Sequence, residues 1–334
     1  MKKFLVMFLC LFMIIALVGC GSGTETDDDS DKVIPDHWPE SILFASGPSG
    51  GGWYTVGAAL GNILMQEIPG LTVTVVEGGG TSNVRDIQSG EAHISLTFTN
   101  AFMQGLLGQH PFTPGEIDEN VQGLATLWTS NYQGVVLKDS DIYTFEDLAG
   151  KRILPGEVGW SSEIMTALVL EQYGLSYEDM GSVSYTGYSD VVQLMRDGHG
   201  DAGFCLMNYP VSWIMDLGTT HELRMITPSR EVIDSIIDMN PGYGVGEIPA
   251  GAYDWLEETH ETVVTYSMLI LSNDIPEDMA YRIVEILMDE KHRDTLYQAH
   301  PDMRGFDEVI AEGLKALPIH PGVEKYYKEK GIID

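Results

Sequence analysis

Three glycine-rich loops hold most of the side chains that could meet a ligand. Residues 47–53 contain Ser49, Gly51, Gly52 and Trp53, with Tyr54 following; residues 78–83 end in Thr81, Ser82 and Asn83; residues 156–162 contain Gly159, Trp160, Ser161 and Ser162, with Glu163 one step beyond. Each precedes a helical pattern, so each presents helix-start N–H groups and a partial positive charge beside hydroxyls, an amide or an indole. Such loops attract an anion, and a carboxylate suits them better than a phosphate. The first loop lacks the Gly-Lys-Ser/Thr ending of a phosphate loop, and no GxGxxG with a downstream strand-end acid is present. Trp53, Tyr54, Tyr132 and Trp160 are the aromatic candidates for the walls of a cleft, and Thr99, Asn100 and Asn208 are added by their positions at strand ends.

Catalytic chemistry finds little support in these residues. In Gly159-Trp160-Ser161-Ser162-Glu163 the final Gly of a nucleophile elbow is replaced by Glu163, and a hydroxyl at a helix start is ordinarily a cap. The nine His form no HExxH and no close cluster with metal-ligand spacing, and Asp27-Asp28-Asp29 lacks the Gly and distal Glu of a calcium loop. Cys205 lies in an apolar run and is expected to be a buried strand residue. No enzyme activity, cofactor or metal is therefore expected.

Positioning these loops requires a particular order of elements. Strand patterns at 41–46, 71–77 and 93–97 alternate with helical patterns at 54–67 and after 83, a βαβαβ order that implies a parallel sheet covered by helices. The order recurs with strands at 152–154, 182–185 and 201–206 and helices at 161–173 and 188–196. The two copies align at a nearly constant offset, which places Gly90 on Gly198 and Asn100 on Asn208. Two β-rich segments, 133–138 and 262–271, flank the second copy and form a natural two-strand hinge. The expected organisation is a first lobe of residues 38–140 plus 262–334 and a second of 141–261. A capping box at 144–147 starts a helix in the second lobe, and helical patterns at 276–289 and 305–317 pack back on the first.

Charge and the N-terminus restrict partners and location. Against 50 Asp and Glu stand 18 Lys and Arg, a formal charge of −32 over 334 residues, which argues against nucleic acid as a partner. Lys2 and Lys3 precede an apolar run from Phe4 to Val18 that is too short to span a bilayer and reads as an export signal over residues 1–19. The run ends in Leu17-Val18-Gly19-Cys20, which resembles the bacterial lipobox; the resemblance implies that Cys20 becomes a lipidated first residue followed by an acidic tether at 20–37. The only membrane contact expected is then this lipid, with the protein extracytoplasmic. With Cys10 removed and Cys20 modified, Cys205 has no partner for a disulfide.

The motifs SGPSGGGWYTVGAALGNIL (46–64), EGGGTSNVRDIQSGEAHISLT (77–97), TFEDLAGKRILPGEVGWSSE (144–163) and GTTHELRMITP (218–228), with HPGVEKYYKEKG (320–331) at the end, closely resemble the TAXI-type solute receptors of TRAP transporters. The resemblance implies an α/β, two-lobe periplasmic-binding-protein fold of type II. It also implies capture of a small organic acid such as glutamate, 2-oxoglutarate or a related carboxylate, and delivery to a TRAP permease driven by an ion gradient. Carried over motif by motif, the site comprises Ser49, Gly51, Trp53, Tyr54, Thr81, Ser82, Asn83, Gly159, Trp160, Ser161 and Ser162. Gly52-Trp53, and Trp160 with Glu163, depart from the commoner family pattern, which implies a smaller pocket or one that offers an acid to a ligand amine. No Arg lies within the three loops, and Arg85, the nearest, is expected to face solvent. A ligand sensor of the same fold, feeding a membrane kinase or chemoreceptor, is the alternative.

Overall fold

The structure, a computed structural model, describes residues 34–49 and 51–334; Cys20, the apolar run before it and the acidic residues up to 33 lie outside the described residues. The last residues of the expected tether belong to the fold. Ile34 is buried, and His37 Nε2 lies 2.9 Å from a carboxylate oxygen of Asp278.

The first half runs β1 (Ser41–Ala45), α1 (Gly52–Glu67), β2 (Thr72–Val76), α2 (Gly80–Gln88), β3 (Ile94–Phe98) and α3 (Thr99–Leu107), followed by the long strand β4 (Val121–Leu137). The second half runs β5 (Arg152–Leu154), α4 (Ser161–Gln172), β6 (Ser182–Val183), α5 (Tyr188–Arg196), β7 (Ala202–Met207), α6 (Ser212–Gly218), β8 (Leu223–Ile226), α7 (Arg230–Met239) and β9 (Gly244–Ile248). A second long strand, β10 (His260–Ser272), leads into α8 (Glu277–Met288), α9 (Arg293–Ala299), α10 (Phe306–Val309) and α11 (Pro321–Glu329).

All ten strands share one sheet, and its order is close to a palindrome: β2-β1-β3-β10-β4-β7-β5-β6, with β8 on β4 and β9 on β10. On each side a parallel trio meets one antiparallel strand, β10 beside β3 and β4 beside β7, and the two long strands pair with each other in the middle. The repeat read from the sequence is thus a repeat of topology. Gly90 and Gly198 occupy the same place in it, each in the left-handed region (φ 77° and 68°) between a helix and the third strand of its trio, where a side chain would be strained.

Burial follows that order. One core is built from residues between Ile34 and Trp128 and between Met268 and Tyr327, while two others draw on residues between Tyr132 and Val263. The change of core falls inside β4 and β10, so each long strand contributes its two ends to different hydrophobic clusters. β3, central in its half, is buried from Ile94 to Thr97, whereas edge strand β2 alternates.

Two sequence expectations fail at element ends. The helix expected from the capping box at 144–147 is a three-residue 3-10 turn (Glu146–Leu148): the Asp147 carboxylate accepts from Tyr143 N, Thr144 N and Thr144 Oγ1, satisfying the turn locally, and Arg152 opens β5 four residues after it ends. The helical pattern at 305–317 is broken into α10 and a 3-10 turn at Glu312–Leu314, because this segment follows the surface of β4, where Ile310 O accepts from Thr126 N.

Candidate functional site

Where α1 begins, the chain leaves the carboxyl end of β1 through residues 46–51 and turns into the helix with no side-chain cap at Gly51 and no acidic residue in the first turn. Its first N–H groups therefore keep the lone-donor character of an uncapped helix start. Directly over this start lies the ring of His300, from the connection after α9; a Cβ added at Gly52 would overlap that ring, so only glycine fits. Thr55 Oγ1 ties the two segments, its single proton shared between Gly52 O (2.8 Å) and Ala299 O (2.9 Å).

A cavity of about 300 Å³ opens beside these residues, lined by Gly51, Gly52, Trp53, Phe98, Trp128, Ser130, Ser267, His300 and Asp302 from one side of the sheet and by Leu206, Met207 and Asn208 at the end of β7 from the other. Its walls are fixed by neighbours rather than free to move. Trp53 packs on Phe98 with ring centres 4.6 Å apart and donates from Nε1 to Ser267 Oγ (3.1 Å). Trp128 and His300 are stacked, 4.7 Å apart and 9° from parallel, and His300 Nδ1 accepts from Asp302 N (3.3 Å), leaving Nε2 as the ring's donor. Asn208 holds its amide toward Tyr209 N (3.0 Å) and Thr129 Oγ1 (3.4 Å). Such a space offers flat aromatic walls, hydroxyls, one amide, one imidazole and one carboxylate, with no Lys or Arg among its lining residues.

Of the sequence candidates, Gly51, Trp53 and Asn208 line this cavity. Ser49 is exposed nearby, its N–H donating to Glu77 Oε1 (3.2 Å), and Tyr54 is half-buried in the first turn of α1. Thr81 and Ser82 start α2 just after Gly80, whose added Cβ would touch Phe98 and Trp53; Ser82 is exposed and bonds its own turn through Gly79 O (3.0 Å).

Asn83 has a different task. Fully buried, it donates to Ser46 O (2.7 Å), Leu96 O (2.6 Å) and Ala45 O (3.3 Å) and accepts from Gly79 N (2.9 Å), pinning β1, β3 and the start of α2 together with no polar atom left over for a solute.

Thr99, Asn100 and Tyr132 are also placed elsewhere than in the cavity. Thr99 is fully buried, donates to Gly242 O (2.6 Å) and accepts from Tyr266 N (3.2 Å); Asn100 donates to Tyr243 OH (3.0 Å) and accepts from Thr265 Oγ1 (2.7 Å). Together they fasten the start of α3 to the segment between α7 and β9. Tyr132 lies wholly within a core, stacked on Phe204 and donating to Thr166 Oγ1 (2.9 Å), and burial pushes its phenol far above the usual range. Ser130 lines the cavity, whereas Tyr132, two residues further along the same strand face, lies where the strand has passed into the next core.

The third loop forms its own aromatic group. Trp160 packs on Tyr188 (5.1 Å), which stacks on Trp213 (5.8 Å), while the Tyr188 hydroxyl reaches Ser162 Oγ (3.3 Å). Ser162 is buried and Ser161 exposed, and the Glu163 carboxylate accepts from Gly159 N (3.2 Å), closing its own helix start. These residues sit in the second half of the chain and are not part of the cavity lining. Cys205 is buried, and burial raises its thiol well above the usual range. Arg85 pairs with Glu116 (2.5 Å) on the surface. Trp128, Ser130, Ser267, His300 and Asp302 also line the cavity; they come from the long strands and the C-terminal third, and Trp128 and Ser130 lie just before the segment 133–138 that the sequence marked as a strand between the lobes.

The sequence pattern of the NMT1-like family matches residues 44–331. Among solved structures the chain is similar to XAC2383 from Xanthomonas citri bound to ATP, with 14% identity over 87% of this chain and 99% of that one and a TM-score of 0.52. It is similar also to a TctC solute binding protein from Polaromonas, with 16% identity over 86% and 98% and a TM-score of 0.50. The periplasmic aliphatic sulphonate binding protein SsuA from Escherichia coli is 13% identical over 88% and 89%, with a TM-score of 0.47. At these identities the likeness concerns the fold, which is α/β with the two lobes of a type II periplasmic binding protein, joined by β4 and β10.

Proposed function

Because the chain belongs to the NMT1-like family, we propose that it is an extracytoplasmic solute receptor that takes a small organic acid between its lobes and hands it to a membrane permease. The observation that carries this reading is the cavity itself, lined from one side by the start of α1 and from the other by the end of β7, across the pair of long strands. In an open α/β sheet, ligands sit beyond the carboxyl ends of strands, where helices begin. A ligand carboxylate at the uncapped start of α1 receives N–H donors and the helix dipole, with hydroxyl help from Ser130 and Ser267.

In this proposal the lobes are residues 38–140 with 262–334 and residues 141–261, and rotation about β4 and β10 brings the third loop, with Trp160 and Ser161, over the bound solute. The permease then reads the closed form. Sequence motifs shared with the TAXI-type receptors support a TRAP permease as the partner and glutamate, 2-oxoglutarate or a related carboxylate as cargo. The lipobox-like end at Cys20 supports a lipid anchor; among the described residues no helix is long and apolar enough to cross a membrane.

Thermal unfolding of the full chain against a panel of amino acids, oxo acids and dicarboxylates tests the reading. A ligand at 100 times its Kd adds about 2.7 kcal/mol of stability, so a shifted transition with at least one acid is expected. No shift with any member of the panel overturns it.

A further inference from the structure

Asp302 is the only carboxylate among the residues lining the cavity, and no Lys or Arg stands among them. Its one ion-pair contact among the described residues is His300 Nδ1 at 3.7 Å, yet that nitrogen already accepts from Asp302 N and offers the carboxylate no proton. The same cavity is walled by the indoles of Trp53 and Trp128 and the ring of Phe98, surfaces that favour a cation and do nothing for a second anion. The side chain of Asp302 keeps 29% of its surface exposed. Closure of the lobes removes water from it, and a desolvated carboxylate without a counter-charge is costly. A dianionic solute would deepen that cost by bringing like charge into the same space.

We propose that Asp302 is an ammonium-binding subsite, so that the solute is an α-amino acid rather than an oxo acid or a dicarboxylate that lacks an amine. Its carboxylate lies at the start of α1, its ammonium at Asp302 near the indole faces, and its remaining carbon skeleton against Leu206 and Met207. Asp302 thus takes the acidic role that the sequence suggested for Glu163, whose carboxylate is engaged with Gly159 N of its own loop. The inference rests on the receptor reading and names the class of its ligand.

Calorimetric titration of the full chain with matched pairs tests it: glutamate against 2-oxoglutarate, leucine against 4-methyl-2-oxopentanoate, and phenylalanine against phenylpyruvate. In any pair that binds, the amino acid is expected to bind about tenfold tighter or more, the change made by one partly desolvated ion pair. D302N should abolish that preference while D302E keeps it, with the melting temperature of each unliganded variant confirming that it is folded. An oxo acid that binds as tightly as its amino acid, or a preference that survives in D302N, overturns the ammonium subsite and leaves the receptor standing. Failure of every pair to bind the unaltered chain removes the organic-acid reading and the subsite with it.

Discussion

Gly52 has no room for a methyl group, because the His300 ring occupies the place where a Cβ would stand. G52A is therefore expected to force His300 off its stack on Trp128, lowering stability by about 1–3 kcal/mol as an overpacked site does and weakening solute binding at the same time. Denaturant unfolding and ligand titration on the same variant check both effects, and an unchanged stability would show that the ring moves aside without cost. The candidate site was legible in part at this scale. Gly51 and Trp53 were visible because a glycine-rich loop before a helix is a local pattern; His300 and Asp302 approach from almost the far end of the chain and have no local pattern to betray them. Asn83 shows the limit of such a pattern, since an amide beside a ligand-type loop looks the same in sequence whether its bonds go to a solute or, as here, to the ends of two strands.

At the level of elements, α11 depends on a histidine. His320 caps it by accepting from Gly322 N at Nδ1 (3.2 Å) while Nε2 donates to Ile275 O (3.0 Å), and burial lowers its pKa from 6.5. A depressed imidazole is neutral in the folded chain, so unfolding takes up a proton; the stabilisation is complete above pH about 6.5 and is lost as pH falls toward the folded value. His260 is lowered by burial as well and acts in the same direction. Unfolding free energy is thus expected to drop between pH about 7.5 and about 5.5, and H320N, which can still cap the helix, should reduce the drop; an equal drop in both proteins would exclude His320. Most strands and helices up to β7 were readable from period and punctuation. The turn at 146–148 and the broken segment around α10 depart from expectation where side-chain bonds or packing on β4 override a helical pattern, while α3 and the first part of β4 carried no reading.

For the whole molecule the charge of −32 sets the balance. Surface ion pairs such as Arg230–Asp234 and Lys328–Glu324 contribute little in water and weaken with salt, whereas repulsion among the surplus acids opposes the compact state and is screened over about 8 Å at physiological ionic strength. At this net charge the second effect is expected to outweigh the first. The melting temperature should rise by a few degrees as NaCl increases from about 0.01 M to about 0.5 M, and a fall would mean that specific pairs dominate.

The palindromic sheet also dictates when each lobe can be finished as the chain is made from its N-terminus. β3 gains its inner neighbour only when β10 is synthesised, and the first core needs Met268 to Tyr327 to close, so the opening half of the chain waits as an incomplete sheet with a bare edge. The second half, made in between, meets β5, β6 and β7 without delay and finds β4 already present. The lobe that begins first is completed last, and the interval in which β3 lacks its β10 neighbour leaves an open edge exposed to aggregation or to a chaperone's grip.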